Sequence, residues 1–265
     1  MHTTHLLLQF IKFRFFALIE YPGAYIAGIL GQWLVYGIEL FMIFLMVWNF
    51  GTLAGWTPEE VIFLFSVWLM TYALGATFTY NICRNFDQLV INGTMDEALT
   101  RPISPFAYLI FTHINLGYIS HITLTAVALG ISIAQLDFAW SVWQWLWLVV
   151  LILAGSVITG CIMLLCEMPA MHTRSRSPFG MLFWETRMFT RFPISIYPQS
   201  LQIVFTTILP LGFINFYPVQ VLLGKQDGLW VPYTIWISPL VAALLVGITA
   251  FCWHRMSRHY ESAGT

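Results

Sequence analysis

The sequence lacks charge. Only 9% of its 265 residues are Asp, Glu, Lys or Arg, whereas a soluble domain carries about 25%. Hydrophobic residues make up 59% of the chain. So little polar surface cannot cover a water-facing globule, and the excess apolar surface must face lipid. The net charge of −1 provides no basic face, so we predict no nucleic-acid partner.

Lysine is almost absent, which excludes one route to ATP binding. A Walker A loop needs Gly, four residues and then Gly-Lys-Ser/Thr, so that backbone amides and one lysine hold the phosphates. The chain has only Lys12 and Lys225, and Gly224-Lys225 has Val219 where the first glycine should be and Gln226 after the lysine. We therefore predict no cofactor in this chain. Any ATP-driven work would require a partner chain that binds ATP and Mg²⁺.

Signatures of metal and redox chemistry are missing as well. The sequence has no HExxH motif and no CxxC pair. We predict that the four cysteines are free thiols in a helix bundle; they are Cys83, Cys161, Cys166 and Cys252. We predict no metal site and no catalytic residues.

Apolar runs are abundant, and they set the fold. Five stretches long enough to cross a bilayer contain no Asp, Glu, Lys or Arg, and a sixth contains only Glu39. We predict an all-α integral membrane fold in one transmembrane domain, 1–265, with six spans at about 25–48, 61–83, 112–136, 142–165, 201–221 and 231–253. Pro210 predicts that the fifth span is a kinked or broken helix packed within protein.

The first segment is expected to lie on the membrane rather than cross it. Residues 5–20 are apolar, but Lys12 and Arg14 interrupt them and Pro22 ends them. This pattern is typical of an interfacial helix.

The basic residues indicate the orientation of the spans. Ten of the eleven lie on the side that holds both termini, and only Lys225 lies on the other side. We therefore predict that both termini are cytoplasmic. The ten include four arginines in a second cytoplasmic loop, Glu167–Ser200, and are Lys12, Arg14, Arg84, Arg101, Arg174, Arg176, Arg187, Arg191, Arg255 and Arg258.

Glu39 is the exception among the spans. A carboxylate at the middle of a transmembrane helix costs about 2.5–3.5 kcal/mol on insertion scales. Such an acid can line a translocation pathway or pair across a subunit interface. It can equally be a protonated or hydrogen-bonded acid in the core, and the sequence leaves both readings open.

The densest polar stretch is 92–102, within a predicted first cytoplasmic loop at about 84–106. Gly93 can end one helix, Thr94 can cap the next with Glu97 as the capping-box acid, and Pro102 can end it. The predicted short helix is charged at Asp96, Glu97 and Arg101. It could dock in a groove of a soluble partner, or it could be an ordinary surface turn.

Three segments resemble the permease subunits of ABC-2-type transporters, in a prokaryotic branch of that family. They are GTMDEALTRPISPF at Gly93–Phe106, FPISIYP at Phe192–Pro198, and ILPLGFINFYPVQVLLG at Ile208–Gly224. The resemblance implies an ABC-2 exporter fold and a coupling helix at Asp96, Glu97, Arg101 and Pro102 that contacts an ATPase. It also implies that the stretch after Pro210 dips back into the membrane on the outer side, and that this membrane is the plasma (inner) membrane of a prokaryote.

These observations lead to one predicted function and two alternatives. The chain is expected to be the permease of an ATP-binding cassette exporter that forms the pathway with a second permease, identical or paralogous. An ABC ATP-binding subunit would drive it, membrane lipid would surround it, and Glu39 would line the pathway. The alternatives are a membrane-embedded scaffold or assembly factor, and a lipid-modifying enzyme.

Overall fold

The computed structural model describes residues 9–16, 20–136, 140–225 and 234–261. Within these ranges the chain is almost entirely helical, and its extended pairing is limited to one isolated bridge between Leu53 and Trp56. The predicted all-α membrane fold is confirmed.

The helices follow one another with short connections. They are α1 (9–16), α2 (Pro22–Phe50), α3 (Pro58–Arg84), α4 (Phe86–Ile91), α5 (Thr94–Thr100), α6 (Pro105–Thr112), α7 (Ile119–Gln135), α8 (Val142–Glu167), α9 (Ala170–Thr173), α10 (Pro178–Thr186), α11 (Gln199–Ile203), α12 (Phe216–Leu222) and α13 (Thr234–Ser257). Single 3₁₀ turns lie at Leu116–Tyr118, Arg187–Arg191, Ile194–Ile196 and Leu211–Phe213, and a π turn lies at Val204–Ile208.

Five of these segments are long and apolar enough to cross a membrane: α2, α3, α7 with the turn before it, α8 and α13. A sixth crossing exists if a bent pair, Gln199–Ile208 and Leu211–Leu222, counts as one. The two halves of that pair meet at 78° beside Pro210, where the sequence predicts a break. The third span differs from its predicted bounds, because α6 ends at Thr112 and the crossing begins at Leu116.

Glycine allows two central helices to approach closely. A Cβ atom on Gly75 of α3 would lie 2.6 Å from the carbonyl oxygen of Ser156 in α8. Gly155 of α8 faces the carbonyl oxygen of Ile214 in the same way. In a membrane, where apolar side chains gain little by leaving lipid, such close packing of small residues holds helices together.

By contrast, α2 is peripheral. Only 6% of its most apolar stretch is buried within the chain, against 78% for α3. Its two buried residues, Ile43 and Val47, lie in its second half, so its first half stands away from the core.

The bundle has two distinct ends. We call one of them the basic end; α3 ends there at Arg84 and α8 ends there at Glu167. The helix α2 runs antiparallel to α3, so α2 begins at the basic end. At the far end, Lys225 Nζ lies 2.9 Å from Glu60 Oε2 and donates to the carbonyl oxygen of Gly55 at 2.8 Å. Glu60 also accepts from the backbone N–H of Thr57 in a capping box that begins α3.

The segment 178–191 departs from the predicted second cytoplasmic loop. The guanidinium carbon of Arg187 lies 4.2 Å from the ring centre of Tyr72, which is about 18 Å along α3 from Arg84 at 1.5 Å per residue. The prediction that this whole segment lies beyond the helix ends is therefore wrong. Aromatic rings around Arg187, and a carboxylate beside Arg191, let both charges enter the bundle.

The interfacial segment is described over 9–16, and the rest of the predicted range 5–20 is described only at Glu20. Within α1, Phe10 packs edge-on against Tyr108 with ring centres 5.9 Å apart, and Arg14 Nε donates to the carbonyl oxygen of Thr112 at 2.8 Å. Phe13 is 74% exposed, which suits a helix whose outer face meets lipid.

Candidate functional site

The helix of the first loop is shaped by the residues at its two ends. Gly93 has φ +72°, a left-handed conformation that ends α4 and lets α5 begin at Thr94. Arg101 is extended, as the residue before Pro102 must be, and this ends the helix at Thr100. The predicted capping box is wrong: no side chain caps the start of α5, because the Glu97 carboxylate has other partners.

One face of α5 anchors it to the bundle. Met95 and Ala98 are fully buried. The Asp96 carboxylate lies beside the hydroxyl of Tyr260, in the tail that follows α13; burial first, and then this carboxylate, raise the pKa of Tyr260. The helix is therefore fixed both to its neighbours in sequence and to the end of the last span.

The opposite face of α5 points away from the bundle. Glu97 Oε1 accepts hydrogen bonds from Arg101 and from Tyr108 Oη, the latter at 2.8 Å. The bond from Arg101, and then the bond from Tyr108, lower the pKa of the Glu97 carboxyl group. Leu99 is 40% exposed beside this pair. The result is a preformed surface of one ion pair and one apolar side chain at the basic end.

Glu39 is paired within the chain. Its carboxylate accepts a hydrogen bond from Arg191 Nη1, and the two side chains are only 19% and 26% exposed. Glu39 lies about 25 Å along α2 from Pro22, so the pair sits near the middle of this span. Each charge compensates the other, which removes most of the cost that a lone acid would carry at this depth.

A cavity of about 540 Å³ lies between the first half of α2, the second half of α3, the start of α7 with the turn before it, and α10. Tyr36, Tyr72, Tyr80, Tyr118, His121 and Trp184 line it, and most of their rings touch. The hydroxyls of Tyr72 and Tyr118 are 3.0 Å apart. Exposed Gly28 and Gln32 of α2 also line the cavity, which therefore opens to the surface along this helix.

Arg187 is the most unusual side chain of this cavity. Its guanidinium stacks on Tyr72 and lies 5.5–5.8 Å from the rings of Trp184 and Trp68. Its Nε and Nη1 atoms are buried without a hydrogen-bond partner, and no carboxylate among the described residues lies within ion-pair distance. A desolvated cation–π contact contributes about 2 kcal/mol, so the three rings offset much of the roughly 2.5–3.5 kcal/mol that a charge costs at membrane depth but satisfy none of the N–H donors in their own plane.

The structure thus brings together only some of the predicted site residues. Asp96, Glu97, Arg101 and Pro102 lie together at the basic end, whereas Glu39 is remote from them. Sequence reasoning missed the partners of Glu39 and Glu97 and the whole aromatic cavity. One signal was available: Arg187 and Arg191 are four residues apart, and therefore on one helical face, within the aromatic-rich run FWETRMFTRF.

Comparison with known proteins gives one match. Residues 33–264 match the family model described as ABC-2 family transporter protein. No curated protein and no solved structure matches the chain.

Proposed function

The chain belongs to the ABC-2 transporter family, and on that premise we propose that it is the permease subunit of an ATP-binding cassette exporter. It forms the translocation pathway with a second permease, identical or paralogous. A separate ABC ATP-binding subunit supplies ATP hydrolysis with Mg²⁺. The two permeases lie in the plasma (inner) membrane of a prokaryote, and the basic end and both termini of this chain face the cytoplasm.

The observation that carries this proposal is the two-sided construction of α5. Its inner face is fixed in the bundle through Met95 and Ala98, while its outer face presents Glu97, Leu99 and Arg101 at the basic end. A chain without a phosphate-binding loop receives ATP-driven work only through a contact. A short helix that is rigidly attached on one side and exposed on the other transmits a push better than a loose turn does.

The attachments of α5 define where such a push would go. Tyr108 joins Glu97 to α6, and Asp96 reaches the tail of α13. Movement of α5 would therefore reach a membrane span at its basic end. ATP binding and release in the partner would then shift the permease between inward- and outward-facing states.

Glu39 fits this scheme as part of the pathway. The Glu39–Arg191 pair lies about one turn further along α2 than Tyr36, so it stands between the cavity and the far end. In our proposal, passage from the cavity towards the far end requires this pair to separate. The pair thus acts as a closed barrier in the state described here.

Co-purification tests the coupling role of α5. The tagged chain is isolated from native membranes, and its partner is identified by a phosphate-binding motif and by hydrolysis of Mg-ATP. We expect Glu97→Ala combined with Arg101→Ala to keep normal membrane expression but to lose the ATPase and transport. One control should retain both: Arg255→Ala removes another exposed charge at the basic end.

Each outcome assigns the function differently. A double variant that binds and activates the ATPase normally refutes the role of α5 and moves it to Arg174 and Arg176 of the second loop. A wild-type chain that never co-purifies with an ATP-binding subunit refutes the permease proposal and favours a scaffold or assembly factor.

A further inference from the structure

The lining of the aromatic cavity carries two positive side chains and no negative one. Arg84 lies exposed at its basic end and Arg187 lies deep inside it. None of the residues that line it is Asp or Glu. His121 and Asn115 add polar groups that can donate hydrogen bonds. The lining therefore favours an anion over a cation or a neutral solute.

Arg187 is prepared to bind an oxyanion. Guanidinium donors form paired hydrogen bonds with carboxylate or phosphate oxygens, and the ring of Tyr72 fixes the plane of this guanidinium. Two of its nitrogen atoms are buried without a partner. By contrast Arg191, one turn further along, already has Glu39. The chain has thus supplied an acid to one of the two buried arginines and left the other open.

The walls of the cavity suit an apolar body attached to that anion. Four of the lining residues are Tyr or Trp whose rings form a connected set of contacts beside Arg187; they are Tyr72, Tyr80, Tyr118 and Trp184. A volume of about 540 Å³ is within the range of small-molecule sites, which is roughly 300–1,000 Å³. The cavity opens along the exposed first half of α2, where an alkyl chain could extend into lipid.

We propose that this cavity binds an amphiphilic anion, with its carboxylate or phosphate group at Arg187 and its apolar part between the aromatic walls and α2. This inference deepens the proposed function and rests on it in one respect: the bound molecule would be the class of substrate that the permease transports. The binding itself requires only this chain.

Direct binding tests the proposal without the ATPase. The purified chain is placed in phosphatidylcholine nanodiscs, and radiolabelled dodecyl phosphate is measured by scintillation proximity. We expect saturable binding that unlabelled dodecyl phosphate displaces at least tenfold better than dodecanol or dodecyltrimethylammonium does. Equal displacement by dodecanol would mean that the cavity recognises only the alkyl chain, and the proposal would be overturned.

A charge variant locates the anion. Arg187→Gln should weaken binding of dodecyl phosphate by about tenfold or more, which corresponds to the loss of one charged contact. Arg176→Gln removes an exposed arginine outside the cavity and should leave binding unchanged. Equal affinity in wild type and Arg187→Gln would contradict the assignment.

A steric variant keeps the test valid if Arg187→Gln fails to fold. A side chain at Gly28 would enter the cavity without touching another part of the chain, and Gly31 lies on the same helix outside the cavity with equally open space. Gly28→Phe should abolish binding, and Gly31→Phe should preserve it. Binding that survives Gly28→Phe would place the ligand elsewhere and overturn the proposal.

Competition identifies the source of the anion. Displacement by phosphatidylglycerol added to the nanodisc would support the site with a lipid headgroup as its ligand, whereas failure of phosphatidylglycerol to compete would support a single-chain solute. Displacement by inorganic phosphate at the same concentration as dodecyl phosphate would refute the amphiphile. Binding with no associated ATPase would refute the exporter while leaving this site established.

Discussion

The pair of Glu39 and Arg191 allows the sharpest test of how the bundle is held together. We consider three variants: Glu39→Gln, Arg191→Gln and the two combined. Glutamine keeps much of the volume and hydrogen-bonding capacity of either side chain while removing its charge. All three variants should insert normally, since one amide in a span costs less than one charge.

The expected magnitude follows from the burial of the pair. Removing one partner of a fully buried ion pair costs about 3–5 kcal/mol, because the remaining charge is left uncompensated. The two side chains are 19% and 26% exposed, so we discount this to about 2–3 kcal/mol for either single variant. The double variant leaves no charge behind and should cost only about 1–2 kcal/mol. Its cost is therefore well below the sum of the singles.

Thermal unfolding of the purified chain measures these values. By the scaling of soluble domains, each single variant should lower Tm by about 5–10 °C, and the double variant by less than either. Transport should fall in all three, because the barrier no longer closes. Costs that simply add in the double variant would show that the two residues do not interact, and would refute both the pair and its role as a barrier.

Three further predictions concern other parts of the bundle. Gly155→Ala should cost about 1–3 kcal/mol of stability, since its Cβ would meet backbone rather than a movable side chain, whereas Gly247→Ala, which has open space, should cost nothing in the same unfolding assay. Lys225→Met should cost about 1.5–3 kcal/mol, because Glu60 loses a charged partner at a site where both are mostly buried, and Lys225→Arg should recover most of it. The pKa of Glu97 is lowered from its ordinary 4.5. The carboxylate therefore keeps its contacts above pH 4.5 and loses them as the pH falls through the lowered pKa. ATPase co-purification should be constant from about pH 6 to 8.

The sequence predicts the fold well because hydropathy is a sum over many residues. Charge-free runs identify the spans, Pro210 identifies the break, and Gly93 with Pro102 identifies the ends of α5. Hydropathy does not distinguish α2 from α3, although one is peripheral and the other central. Lipid is as apolar as a protein core, so both helices need the same composition.

The site was predicted less well, because its residues act through partners far away in sequence. Glu97 has the spacing of a capping acid, yet it pairs with Arg101 and Tyr108, and local spacing cannot choose between these options. Arg187 and Arg191 were assigned to the cytoplasm because that rule counts basic residues in loops. It takes no account of a carboxylate or an aromatic ring that makes burial of a cation tolerable.

The pairing of Glu39 also has a consequence for biogenesis. Its partner Arg191 lies 152 positions later in the chain. At about 5–20 residues per second, synthesis of the intervening segment takes roughly 8–30 s. During that interval α2 has already left the ribosome, while its one acid has no arginine to meet. The nascent helix therefore carries an unpaired acid until the second half of the protein arrives.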